Sequence, residues 1–177
     1  MKKTSAARTA NIFAYQPSLR PALPCVYGPV DFRDYRDRLV EIDRMLDEGG
    51  IESAFIQSAA AEHAAELEGA SAEVCERFAR TSALALRCNV ARELTGLSYR
   101  EFSVRAAESS LLQWFLRIAE VDLVKVPSKS SLERFNHWVS EATLTPTHRK
   151  LVTQAVTPAS AGLTSLKPES CSDGSPR

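Results

Sequence analysis

The chain has 177 residues, 44% of them hydrophobic, and a formal net charge of zero. That allows one packed domain plus tails, and it excludes the strongly basic balance that signals a nucleic-acid partner by charge alone, so any case for DNA has to be local. The basic start Met1-Lys2-Lys3 is followed by Arg8, Asn11, Gln16 and Arg20 instead of an apolar run, and no stretch reaches the roughly 18 apolar residues of a membrane span, so a cytoplasmic protein is expected.

Residues 1–30 read as an irregular arm, because Pro17, Pro21, Pro24 and Pro29 forbid a continuous helix. A first helix is predicted over Phe32–Glu48. Asp31 is its N-cap, Val30 and Tyr35 form a staple, and Gly49-Gly50 makes the stop. Phe32, Tyr35, Leu39, Ile42 and Leu46 alternate steps of three and four and share one face. Such a seam either packs within the chain or pairs two chains. Asp31, Asp34, Asp37, Asp43 and Asp47 read as the solvated face of this helix.

A second helix is predicted over Glu52–Glu68, with Ile51, Phe55, Ala59, His63 and Leu67 as a narrow apolar stripe. His63 on that stripe reads as a packed histidine and not a ligand. A third runs over Ala72–Leu94, capped by Ser71 and stopped at Gly96; its apolar residues cover a wide arc, which places it centrally. Ser98-Tyr99-Arg100-Glu101 is a capping box opening a helix that ends near Glu108. The apolar run Leu111–Leu116 is either a short helix or the tail of that one.

Residues 121–127 read as a connector closed by Pro127, with Val121–Val124 extended but lacking a partner strand. Ser130–Glu133 offers a further capping box, with Ser128 as the competing cap, for a helix to about Ala142. A weak helix over Thr147–Val156 and a Ser/Pro-rich disordered tail complete the chain. The expected fold is all-α. It is a multi-helix bundle over 31–142 with a helix-turn-helix-like module, an irregular arm at 1–30, and a weak helix and tail at 143–177.

Cys25, Cys75, Cys88 and Cys171 show no CxxC or zinc-ligand spacing and read as reduced thiols, with Cys75 and Cys88 as small hydrophobes inside a helix. Trp114 and Trp138 read as core anchors. No cofactor or metal is implied, and no nucleophile, base or metal constellation suggests an enzyme.

Three blocks carry a family likeness. Leu94-Thr95-Gly96-Leu97-Ser98-Tyr99-Arg100-Glu101-Phe102 resembles the "GLSyReL" start of many bacterial insertion-sequence transposases. Trp114-Phe115-Leu116 resembles their "rwFlgl" segment, and Val126-Pro127-Ser128-Lys129-Ser130-Ser131-Leu132-Glu133-Arg134-Phe135 their "vPdhsTlsrF" segment. The blocks stand in the family's order and spacing. The group is that of the IS-five and related transposases, whose helical N-terminal domain precedes a DDE catalytic domain. Ser128 departs from the aspartate that often follows the proline. The resemblance implies recognition of DNA at the terminal inverted repeats of a mobile element.

DDE chemistry needs carboxylates that hold two divalent metals. After Ala142 the only acids are Glu169 and Asp173, in a stretch that builds no such fold. The sequence therefore reads as a transposase N-terminal portion truncated before its catalytic half, without strand-transfer activity.

If Leu132, Phe135, Trp138 and Val139 face inward, then Lys129, Ser130, Glu133, Asn136 and His137 face outward, with Arg134 at the boundary. Asn can read adenine, and Lys or Arg can read guanine or hold phosphates. Lys129, Ser130, Arg134, Asn136, His137, Arg100 and Lys125 are the candidate DNA-binding residues, with Arg105 and Arg117 as added phosphate contacts. The competing reading is a helical interaction protein that forms homo-oligomers, pairs with an intact transposase, or is inert.

Overall fold

The computed structural model describes residues 22–120, 123–145 and 147. The expected arm before residue 22, the weak helix beyond Thr147 and the tail lie outside the described residues. Among the described residues the fold is all-α apart from one pair of two-residue strands.

Helix α1 spans Val30–Asp47 and starts ahead of its expected cap. Pro29 takes the N-cap position, so Asp31 lies in the first turn, where its charge still faces the helix N-terminus favourably. Val30 is exposed, and the expected staple does not close there. Gly50, with φ of +65°, makes the turn into α2 (Ile51–Glu62), a conformation that only glycine adopts without strain.

The second predicted helix is broken at His63. Only the short α3 (Ala64–Leu67) follows, and it buries no residue. Without an apolar face to dock, one more turn gains too little to continue the helix. Helix α4 (Ala72–Thr95) matches its expected span, capped by the Ser71 hydroxyl and ended by Gly96 in the left-handed conformation. Its buried face is mostly small, with Cys75, Ala79, Ser82, Ala83, Ala85, Cys88 and Ala91, so α2, α5, α6 and α7 approach it closely.

Helix α5 (Tyr99–Glu108) opens with the complete capping box. The Ser98 hydroxyl accepts from the Glu101 amide, and the Glu101 carboxylate accepts from the Ser98 amide at 3.1 Å. Ser109 caps a separate α6 (Ser110–Leu116), which buries Leu111, Leu112, Trp114, Phe115 and Leu116. Contrary to expectation, the extended piece has a partner. β1 (Ala119–Glu120) pairs antiparallel with β2 (Leu123–Val124) in a local hairpin.

Helix α7 spans Lys129–Asn136 and stops well short of Ala142. Ser128 wins the competition for the cap, its hydroxyl accepting from the Ser131 amide at 3.2 Å. Trp138 is drawn out of the helix by tertiary contacts: its indole donates to the Ser82 hydroxyl at 2.9 Å and its ring stacks on His63. Residues 141–145 resume helix.

The largest departure concerns charge. Asp43 is buried and not part of a solvated face, and Asp47, exposed as expected, still bonds inward to Arg87. Arg87 of α4 is fully buried. Its guanidinium donates to Asp43 at 2.6 Å, Asp47 at 3.0 Å, Glu52 at 2.5 Å and the Phe115 carbonyl at 3.0 Å. Arg117, at the left-handed C-cap of α6, completes the cluster with Glu52 at 3.2 Å and with Asp47. Asp43 and Glu52 are each 5% exposed, so neither carboxylate has bulk water to fall back on. One guanidinium thereby ties α1, α2, α4 and α6 together.

Removing one member of a buried ionic group strands the others and costs about 3–5 kcal/mol, whereas replacing the whole group by apolar residues is often neutral. Arg87→Met is therefore expected to lose about that much stability in urea denaturation. Combining it with Asp43→Leu and Glu52→Leu should recover a large part of the loss. A loss under 1 kcal/mol for the single variant would show that the cluster does not hold the core.

Candidate nucleic-acid interface

Helix α7 is fixed at both ends. At its N-terminal side the Ser103 hydroxyl of α5 donates to the Pro127 carbonyl at 2.8 Å, and the Lys125 amide donates to Ile118 at 3.1 Å. At its C-terminal side Asn89 of α4 donates to the Phe135 carbonyl at 2.8 Å. Leu132 and Phe135 are buried beneath it, Val139 is buried just beyond, and Trp138 packs edge-on to Phe135. The inward set read from the sequence is thus the inward set observed, although Trp138 and Val139 reach it from a turn.

The opposite face carries the candidates. Lys129, Ser130, Arg134 and His137 are exposed and Asn136 is half-buried. Ser130, Arg134 and His137 follow one ridge, and Lys129, Glu133 and Asn136 the neighbouring one. Lys129 pairs with Glu133 at 3.4 Å, and Arg134 reaches the Ser131 hydroxyl at 3.4 Å. Both are exposed contacts of small worth, so both cations can turn to another anion. Lys125 is exposed on the segment between β2 and α7. Arg100 is exposed in the first turn of α5, on a different element from this group. Arg105 is exposed on α5, close enough to Tyr35 to offset in part the upward push that burial gives its hydroxyl.

Arg117 is not a surface phosphate contact. Its side chain is 9% exposed and committed to Asp47 and Glu52. The same two arginines explain why Asp43, Asp47 and Glu52 converge without forming a metal centre: guanidinium groups occupy their oxygens. Among the described residues no group of three His, Cys, Asp or Glu side chains is placed to hold a metal ion. Cys88 is no nucleophile, because burial pushes its thiol far above the usual range.

Sequence reasoning missed this cluster, yet two signals for it were present. Asp43 follows Leu39 by four residues, on the apolar side of α1, and Arg87 stands alone in the apolar run Ala83–Cys88. A charge placed on a buried face has to find partners.

The segment after α7 is held by α2. The Glu62 carboxylate accepts from the Ser140 amide at 2.9 Å, the Ser140 hydroxyl at 2.7 Å and the Thr143 hydroxyl. His63 bonds the Trp138 carbonyl at 3.2 Å, stacks on the Trp138 ring and meets Phe78 at a tilt, which makes it the packed histidine expected.

No helix among the described residues is long and apolar enough to cross a membrane. Comparison with protein-family models, curated proteins and solved structures gives no match.

Hydrogen bonds from Thr143 and Ser140 hold the Glu62 carboxyl below the usual carboxylate range. A lowered folded value means that the tie is present at neutral pH and is lost as pH falls through that value. The Ser140 amide resonance should therefore titrate with a midpoint below the roughly 4.3 of an ordinary glutamate. In Glu62→Ala it should stay flat through that range. A midpoint at or above the ordinary value would mean that Glu62 does not hold this segment.

Proposed function

We propose that this chain is a DNA-binding helical domain of the kind that precedes the catalytic domain in insertion-sequence transposases, with α7 as a recognition helix. The observation that carries the reading is α7 itself. It is a short capped helix, pinned at both ends, whose free face presents Lys129, Ser130, Arg134, Asn136 and His137. A rigid helix with its N-terminal turn outward is what insertion into a major groove needs. The three sequence blocks support the same reading. They fall on consecutive joints: the Gly96 stop with the Ser98 box, the buried α6, and the Ser128 cap of α7.

Helices α5 and α7 pack on each other, but α6 and the hairpin separate them along the chain. The proposed module is therefore a helix-turn-helix variant in which the supporting helix is supplied through tertiary packing. Its target is the terminal inverted repeats of a mobile element, in the cytoplasm and on the nucleoid. It acts by occupying those ends; no strand-transfer step and no cofactor are assigned to it.

A second reading is favoured by one observation. The seam of α1 is only partly used, since Leu39 and Leu46 are buried while Phe32, near its N-terminal end, is 59% exposed. That apolar end suits pairing with another copy or with an intact transposase.

Fluorescence anisotropy separates the two. On a duplex carrying the inverted repeats of the closest intact element, beside a shuffled duplex, the protein should prefer the true ends and weaken with salt. Lys129→Ala with Arg134→Ala should lower affinity about tenfold or more with an unchanged melting temperature. It should also reduce the slope of log affinity against log salt by up to about 2, at about 0.9 per phosphate neutralised. Equal binding of the two duplexes, or a double variant that binds like the parent, removes α7 as the reader. No DNA binding together with a concentration-dependent dimer in sedimentation selects the second reading.

A further inference from the structure

Helix α6 ends in a backbone conformation that its last residue does not favour. Arg117 has φ of +57° and ψ of +36°, and its amide donates to the Trp114 carbonyl at 3.2 Å. The next amide, that of Ile118, donates back to the Gln113 carbonyl at 3.2 Å, and the Ile118 side chain is buried in the core. In this kind of helix ending a left-handed residue closes the last turn and an apolar residue docks after it. Glycine is the usual occupant, because a β-carbon there crowds the following carbonyl. The other left-handed positions among the described residues, Gly50, Gly69 and Gly96, are glycines.

The backbone alone therefore calls for glycine at position 117, and the side chain gives the reason for arginine. It is 9% exposed, and its guanidinium donates to Glu52 of α2 at 3.2 Å and to both carboxylate oxygens of Asp47 at the end of α1. Those acids do not depend on Arg117 alone, since Arg87 donates to Glu52 at 2.5 Å and to Asp47 at 3.0 Å. Arg117 is an addition to a cluster that Arg87 already ties. What it adds is a hold on the chain that leaves α6. A residue kept in a disfavoured conformation by its surroundings marks a place where position matters.

That chain leads directly to α7. The Ile118 carbonyl accepts from the Lys125 amide at 3.1 Å, on the segment between β2 and α7. Two residues on, the Pro127 carbonyl is held by Ser103, and then the Ser128 hydroxyl caps the helix. The residue next to Arg117 is thus hydrogen-bonded to the segment from which α7 starts.

We propose that Arg117 is a positioning residue for α7. Its ion pairs fix the left-handed turn against α1 and α2, and the bond between Ile118 and Lys125 carries that position to the N-terminal turn of α7. The functional half of the proposal rests on the DNA reading above. There the N-terminal turn of α7 meets base edges, so its pose governs discrimination between sequences and not attraction to phosphate.

Arg117→Gly leaves the left-handed backbone available and removes the ion pairs. Hydrogen exchange followed by NMR reads the result amide by amide. The Lys125 and Ser131 amides, bonded to the Ile118 carbonyl and the Ser128 hydroxyl, should exchange about tenfold faster or more, over and above any change in the amides of α4. Arg117→Lys, in which one ammonium replaces the two-armed guanidinium, should show the same change to a smaller degree, and it carries the test alone if the glycine variant does not fold. Parental rates at Lys125 and Ser131, or a uniform acceleration through the whole chain, overturn the proposal.

In the anisotropy assay Arg117→Gly should narrow the preference for the true ends over the shuffled duplex by about threefold or more, with an unchanged salt slope because no phosphate contact is removed. An unchanged preference in a variant whose Lys125 and Ser131 amides have opened overturns the functional half. A lowered salt slope overturns it too, by making Arg117 a phosphate ligand. If the parent binds neither duplex, the DNA reading falls, and the exchange rates still decide whether Arg117 holds α7.

Discussion

The arrangement of the whole bundle depends on where the guanidinium of Arg87 is held. It is fully buried, and every partner it has comes from another helix or from the end of α6. A buried ionic group contributes less to net stability than to uniqueness, because its desolvation cost nearly cancels its attraction while any misplacement leaves a charge stranded. Alanine and other small residues dominate the buried face of α4, and such a face alone would let neighbouring helices slide. The directional bonds of Arg87 specify one register of α1 and α2 against α4, and its bond to the Phe115 carbonyl sets α6 in the same frame.

From α6 that frame passes to α7 in two steps. Arg117 is the only non-glycine residue with positive φ among those described, at +57°. A left-handed arginine costs about 1–2 kcal/mol of backbone preference, offset here by the ion pairs its side chain makes with Asp47 and Glu52. The conformation turns the chain sharply into the β1–β2 hairpin, whose return strand delivers Lys125, Pro127 and the Ser128 cap. The buried salt cluster and the exposed helix are thus parts of one construction: the first sets the direction from which the second starts.

What was legible in the sequence was what is decided locally. The Ser71 cap, the Gly96 stop and the Ser98–Glu101 box are chemistry between residues a turn apart, and each is found where it was expected. The inward residues of the α7 region were legible because their spacing records a buried face. What was not legible was decided by partners far along the chain. Helix α7 stops early because Trp138 is engaged by Ser82 and His63, and α2 breaks where His63 meets Trp138. Asp43 was read as a surface acid because its partner Arg87 is 44 residues away, and an aspartate on a helix carries no local mark of whether an arginine waits opposite. For the candidate site, the identity and exposure of Lys129, Ser130, Arg134 and His137 could be read in advance. The approach of Arg77 and Arg80 to Lys125 could not, since nothing in the sequence says that α4 and the segment between β2 and α7 lie side by side.

Zero net charge weighs differently once the charges have places. Non-specific binding to DNA grows with the number of phosphates a protein neutralises, so a neutral domain holds random duplex weakly. On the DNA reading this is compatible with selectivity. A mobile element needs its two ends found against a large excess of other sequence, and occupancy then depends on the ratio of specific to non-specific affinity and not on affinity alone. A domain with a few well-placed cations gains its binding where base contacts and backbone contacts coincide, and loses little of the protein to the remaining DNA. The acids of α1 and α2 fix Arg87 and Arg117 within the fold, so on the DNA reading the contacts with a duplex fall to the exposed face of α7.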